Sequence, residues 1–83
     1  MTNEDQITGF IKYRGKRRIY SADYEADKSD DLVRLFPENF TAAVPAIKKL
    51  PDLSYEETAL YLLKKVVDEE IEKGAGQPRP FYS

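Results

Sequence analysis

Residues 54–73, SYEETALYLLKKVVDEEIEK, constrain this chain more than any other stretch. Tyr55, Ala59, Leu60, Leu62, Leu63, Val66, Val67 and Ile71 recur at three- and four-residue spacing, the period of one helix face. Glu56, Glu57, Lys64, Lys65, Asp68, Glu69, Glu70, Glu72 and Lys73 fill the opposite side. Ser54 and Glu57 stand in the S-x-x-E spacing of a capping box, in which each side chain accepts from the other residue's backbone N–H. Pro51 closes whatever precedes the helix, and Gly74 suits the left-handed position just past its end. The pattern predicts an amphipathic helix about 30 Å long. Its apolar stripe must be buried against the rest of the chain.

That rest is small. The sequence has 83 residues, and a single domain of this size buries only about 60% of its unfolded surface. The chain is 41% hydrophobic, with six tyrosines and four phenylalanines, enough to argue against disorder throughout. Cysteine and histidine are both missing. Disulfides, thiolate nucleophiles and zinc–cysteine sites are thereby excluded, as is the usual general base near neutral pH. The longest apolar run, residues 59–63, is far shorter than a membrane span or signal core. A cytoplasmic location without membrane association is the expectation.

Residues 7–24, ITGFIKYRGKRRIYSADY, read as a β-hairpin turning at Gly15 and Lys16. That register pairs Arg14 with Arg17, Ile11 with Tyr20, and Ile7 with Tyr24. Ile7, Ile11, Tyr13, Tyr20 and Tyr24 then share one face, and Phe10, Lys12, Arg14, Arg17 and Ile19 the other. A two-stranded ribbon is marginal alone, so the apolar face is expected to lean on the long helix. Residues 25–31 form an acidic connector in which Asp27 or Ser29 would cap a short helix carrying Leu32, Val33, Leu35 and Phe36, ended by Pro37. Residues 40–50 carry Ala42, Ala43, Val44, Ala46, Ile47 and Leu50 and read as a second short helix, with Pro45 in its first turn. The expected fold class is α+β: a small single domain with an N-terminal two-stranded β-hairpin, two short helices and one long amphipathic C-terminal helix. Its bounds are residues 7–73, between a polar terminus (1–6) and a tail of flexible composition (74–83). The expected core comprises Leu32, Leu35, Phe36, Phe40, Val44, Ile47, Leu50, Leu60, Leu63, Val66 and Val67.

Charge is unevenly spread. Lys12, Arg14, Lys16, Arg17 and Arg18 place five cations in seven residues, leaving eight basic against fifteen acidic residues elsewhere, a balance of −7. Three readings compete for the basic tip. It keeps an exposed ribbon soluble, or meets an acidic protein through bidentate arginine contacts, or grips phosphates while Tyr13 stacks on a base. A helix-turn-helix is excluded because Asp52, Glu56 and Glu57 would face the phosphates. Asp23, Glu25, Asp27, Ser29 and Asp31 mimic the odd positions of a calcium loop, but Lys28 replaces its glycine and Arg34 its bidentate glutamate. Asp68, Glu69, Glu70 and Glu72 lie on a solvated helix face, and no nucleophile–base pair or phosphate-cradling loop accompanies them.

These observations point to a non-catalytic interaction module, an adaptor or inhibitor of a larger protein or complex, with no cofactor and no metal. The expected contact residues are Phe10, Lys12, Tyr13, Arg14, Lys16, Arg17 and Arg18, supplemented in the tail by Arg79, Phe81 and Tyr82. The expected partner is another protein with an acidic surface; a homodimer through the ribbon edge is a further option. The alternative is a nucleic-acid-binding accessory protein using the same tip. Carboxylates of the 54–73 helix on the hairpin's own side would count against that alternative.

Overall fold

The structure, a computed structural model, describes residues 5–73. Four strands run β1 (Gln6–Arg14), β2 (Ile19–Asp27), β3 (Leu32–Pro37) and β4 (Ile47–Lys48), followed by the helix α1 (Tyr55–Val66). The strands form one antiparallel sheet in the order β1-β2-β3-β4, each beside its sequence neighbour. A five-residue π turn, Val67–Ile71, prolongs α1. The helix covers one face of the sheet, and the other face is open.

Period-two alternation decides which side chains meet the helix. Registered rows on the covered face are Ile7–Ala26–Val33–Ile47, Gly9–Tyr24–Leu35, Ile11–Ala22–Pro37 and Tyr13–Tyr20. Ala22 and Ala26 are fully buried on β2. Their small side chains leave room for the Ala59, Leu62, Leu63, Val66 and Val67 stripe, which completes the core. The capping box forms at the start of α1: the Glu57 N–H donates to Ser54 Oγ at 3.1 Å, and the Ser54 N–H to Glu57 Oε1 at 2.9 Å.

The architecture corrects the expected one. The hairpin is half of a four-stranded sheet, and neither short helix exists. Residues 32–37 alternate instead, with Val33 and Leu35 buried and Arg34 and Phe36 exposed. The capping chemistry of the connector is spent on a turn: Asp27 Oδ1 accepts from Ser29 N–H (2.9 Å) and Oγ–H (2.7 Å), and Asp31 takes a left-handed φ of 58°. Such side chains compete with helix formation because they satisfy local backbone groups. In residues 40–50, Pro45 lacks an N–H and pushes the β-branched Val44 toward extended backbone. Ile47 and Lys48 then pair with Val33 and Leu32. Thr58, fully buried in α1, holds this segment by accepting the Leu50 N–H at 3.2 Å. The expected 20-residue helix is 12 α-helical residues and a five-residue π turn, and it is the single helix among the described residues. Two expected core residues, Phe36 and Leu60, are half-exposed.

The hairpin register also differs. Arg14 pairs with Ile19 and Tyr13 with Tyr20, around a four-residue loop, 15–18. The shift is two residues, so the side chains that stay in the strands keep their faces, while Arg17 leaves the ladder for the loop. It brings Gly9 opposite Tyr24, whose ring lies where a Gly9 Cβ would sit, 2.6 Å from Cε2. That ring is buried, so room for a Cβ is made only by displacing it. Gly9→Ala is therefore expected to destabilise the fold by about 1–3 kcal/mol, seen as a lower urea midpoint at unchanged slope.

Candidate interaction surface

Two neighbouring regions carry the exposed chemistry: the open sheet face and the loop that joins β1 to β2. On the open face, register places Phe10, Asp23 and Phe36 in one row and Thr8, Glu25 and Arg34 in the next. Lys12 stands opposite Ser21, and Arg14 opposite Ile19. Phe10 is 47% exposed, Ile19 47% and Phe36 49%. Strands lie about 4.8 Å apart, so the phenylalanines flank Asp23 at about 10 Å from each other. Thr8, Gly9 and Glu25 complete a shallow depression of about 470 Å³ around them. The Lys12 ammonium lies 5.9 Å from the Phe10 ring centre. Asn39 bounds this face near Ile19: its side chain accepts the Ser21 N–H and donates to the Ile19 carbonyl, standing in for the next residue of the ladder.

The loop is held from behind by Glu72. The π turn widens the helix end, with the Glu72 N–H bonded to the Val67 carbonyl at 2.7 Å, and the side chain runs beneath residues 15–18. Its carboxylate accepts the backbone N–H groups of Lys16 (2.6 Å) and Arg17 (2.8 Å) and the Tyr20 hydroxyl (2.9 Å). Glu72 is 4% exposed. Burial alone would raise its pKa, but the Arg17 and Lys16 amides and the Tyr20 hydroxyl outweigh it and hold the carboxyl below its ordinary value. Gly15 is required at the contact, since a Cβ there would lie 2.6 Å from a Glu72 oxygen. Beside it, the Tyr13 hydroxyl donates to Asp68 Oδ1 at 3.0 Å, and Lys64 pairs with the same carboxylate at 3.1 Å. Burial first, and then this bond, raise the Tyr13 pKa; the Lys64 bond leads in lowering that of Asp68.

The expected contact residues are thus divided. Phe10, Lys12 and Arg14 lie on the open face, and Lys16, Arg17 and Arg18 are exposed in the loop. The Arg18 guanidinium folds over the Tyr20 ring at 4.7 Å and donates to the Asn39 carbonyl. Tyr13 is half-buried on the covered face, its hydroxyl bonded to Asp68, and so does not share the open face with Phe10, Lys12 and Arg14. Arg79, Phe81 and Tyr82 fall outside the described residues. Sequence reasoning missed Phe36 and Arg34 as surface residues. The strand alternation of residues 32–37 was the signal for both. A separate apolar groove of about 500 Å³ runs between α1 and residues 43–50, lined by Ala43, Pro45, Ile47, Leu50, Leu62 and Val66 among others.

Among the described residues no group of carboxylates is placed to hold a metal ion, and no helix is long and apolar enough to cross a membrane. The chain matches no family model, no curated protein and no solved structure.

Proposed function

We propose that this protein is a non-catalytic interaction module that docks on an acidic surface of a protein partner, in the cytoplasm, through its open sheet face and basic loop. The observation that carries this reading is the row Phe10–Asp23–Phe36, two half-exposed aromatic rings on a rigid sheet, bordered by Lys12, Arg14 and Arg34. Aromatic anchors beside arginine are the side chains that dominate protein interfaces. Docked rings would lose the water they now face, and the cations would pair with carboxylates at the rim. Adaptor and inhibitor are both compatible with such a face. Nucleic acid is the second reading, carried by the same cations. It is disfavoured by Asp23 between the rings and Glu25 beside them, and by Asp68 and Glu72 packed behind the loop. A nucleic-acid backbone brings a charge at every phosphate and would meet these carboxylates along its length, whereas a folded partner can set a donor against Asp23 and its own carboxylates against Lys12, Arg14 and Arg34.

The test compares wild type with Phe10→Ala/Phe36→Ala and Arg14→Glu/Arg17→Glu in affinity capture, followed by titration of the captured protein. Each aromatic truncation is expected to weaken binding about 30-fold, and the charge reversal to abolish it at low salt. Labelled single- and double-stranded oligonucleotides are titrated in parallel. Saturable, salt-sensitive oligonucleotide binding that disappears in the charge-reversed variant would replace the protein-partner reading with the nucleic-acid one.

A further inference from the structure

Strand β1 is an edge of the sheet, nine residues long without proline, and among the described residues it pairs only with β2. Which of its backbone groups face outward follows from two bonds at the hairpin's ends. The Gly15 N–H donates to the Arg18 carbonyl (2.9 Å) and the Lys28 N–H to the Asp5 carbonyl (2.7 Å). Both tie odd-numbered residues of the first arm to the second. In an antiparallel ladder hydrogen-bonded pairs alternate with non-bonded ones. The odd residues of β1 therefore bond to β2, and the even residues Gln6, Thr8, Phe10, Lys12 and Arg14 present N–H and C=O to the open edge.

We propose that β1 pairs antiparallel with β1 of a second copy of this chain, about a two-fold axis through Phe10. Phe10 is the central residue of Gln6–Arg14, so this is the register in which the whole strand overlaps. All its hydrogen-bonded pairs are drawn from the outward-facing set: Phe10 with Phe10, Thr8 with Lys12, and Gln6 with Arg14. Each cation meets a neutral polar side chain. A register centred on Lys12 would instead oppose two lysines, and like charges directly across a ladder are unfavourable. The two-fold keeps the covered faces on the same side of the joined sheet. Leu60, 39% exposed, stands one and two turns before Lys64 and Asp68, which reach toward Tyr13 of β1, so the two Leu60 flanks turn toward each other. On the open face the aromatic row doubles to Phe36–Asp23–Phe10–Phe10–Asp23–Phe36. The pairing goes beyond the docking role proposed above and stands or falls separately from it.

The experiment uses the full chain in sedimentation equilibrium over micromolar to millimolar concentrations, with circular dichroism confirming that each variant is folded. Thr8 is exposed, and Thr8→Lys sets a lysine against Lys12 of the other copy twice per dimer. It is expected to weaken dimerisation about five- to tenfold, and Thr8→Glu to tighten it. Because the chain has no cysteine, single cysteines report the axis directly. Across a bonded pair Cα atoms lie about 5.5 Å apart, within disulfide range, so Phe10→Cys is expected to cross-link under mild oxidation. Thr8→Cys, about 14 Å from its counterpart along the strands, is expected not to. A monomer at every concentration would overturn the proposal. So would a dimer that ignores Thr8→Lys and is not trapped by Phe10→Cys.

Discussion

Leu63→Ala is expected to remove about 3 kcal/mol of stability and lower the melting temperature by about 15 °C. Leu63 is fully buried in α1, among Ala59, Leu62, Val66, Val67 and the covered face of the sheet. The truncation forfeits the transfer free energy of three carbons and leaves a cavity that the flanking elements cannot close. A domain of this length has about 5–10 kcal/mol in total, so the loss is a large share of it. Leu60→Ala is the control. One turn earlier and 39% exposed, Leu60 is expected to cost less than about 1 kcal/mol. Urea titrations followed by circular dichroism separate the two; equal losses would mean that α1 packs with a different face inward.

Glu72→Ala is expected to unfasten the β1–β2 loop and lower the melting temperature by about 10 °C. It strands the buried Tyr20 hydroxyl and leaves the Lys16 and Arg17 amides to solvent. Amide exchange should accelerate at those two residues far more than at β3, which the carboxylate does not touch. The pH dependence has a definite sign. The folded-state pKa of Glu72 lies below its ordinary 4.5, because two backbone N–H groups and a hydroxyl overcome its burial. The stabilisation is therefore fully present above that ordinary value and is lost as pH falls through the lowered folded one. The gap in stability between wild type and Glu72→Ala should be constant from neutrality to about pH 5 and narrow below about pH 4. Asp27 and Asp68 are also held low, by Ser29 and Lys64 respectively. They add to acid sensitivity in both proteins alike, so the comparison isolates Glu72. A gap that widens in acid would remove the carboxylate from the role assigned to it.

Parts of this arrangement are legible in the sequence for clear reasons. Ser54 and Glu57 form their capping box because both halves of that motif lie within four residues. The hairpin's faces are readable because parity survives a shift of two, although its register is not: a four-residue loop closed by Glu72 leaves no local trace. Residues 32–36 and 40–50 misled for two different reasons. In the first, the Asp27 and Ser29 side chains that cap helices also close β-turns. In the second, Ala42, Ala43 and Ala46 favour helix while Val44-Pro45 disfavours it, and strand pairing with Val33 settles the contest. Phe36 reads as core only on the short helix expected there; as a strand residue registered opposite Asp23 it lies on the surface. The five cations of the loop region were visible at once. The carboxylates behind them were visible only as a helix face, with nothing in their spacing to say what they would meet.

The Glu72 contact also orders events in time. Residues 16 and 17 are separated from the carboxylate that holds them by 56 and 55 positions, whereas β1, β2 and β3 join through loops of four residues. Short closures form early and long ones late, because the entropy of joining distant segments must be offset before the contact returns anything. Strand pairing can therefore run ahead of the basic loop, which acquires its fixed shape only when the end of the helix arrives. The segment with the densest positive charge is then the last to be set, and its rigidity is a readout that the whole domain has assembled.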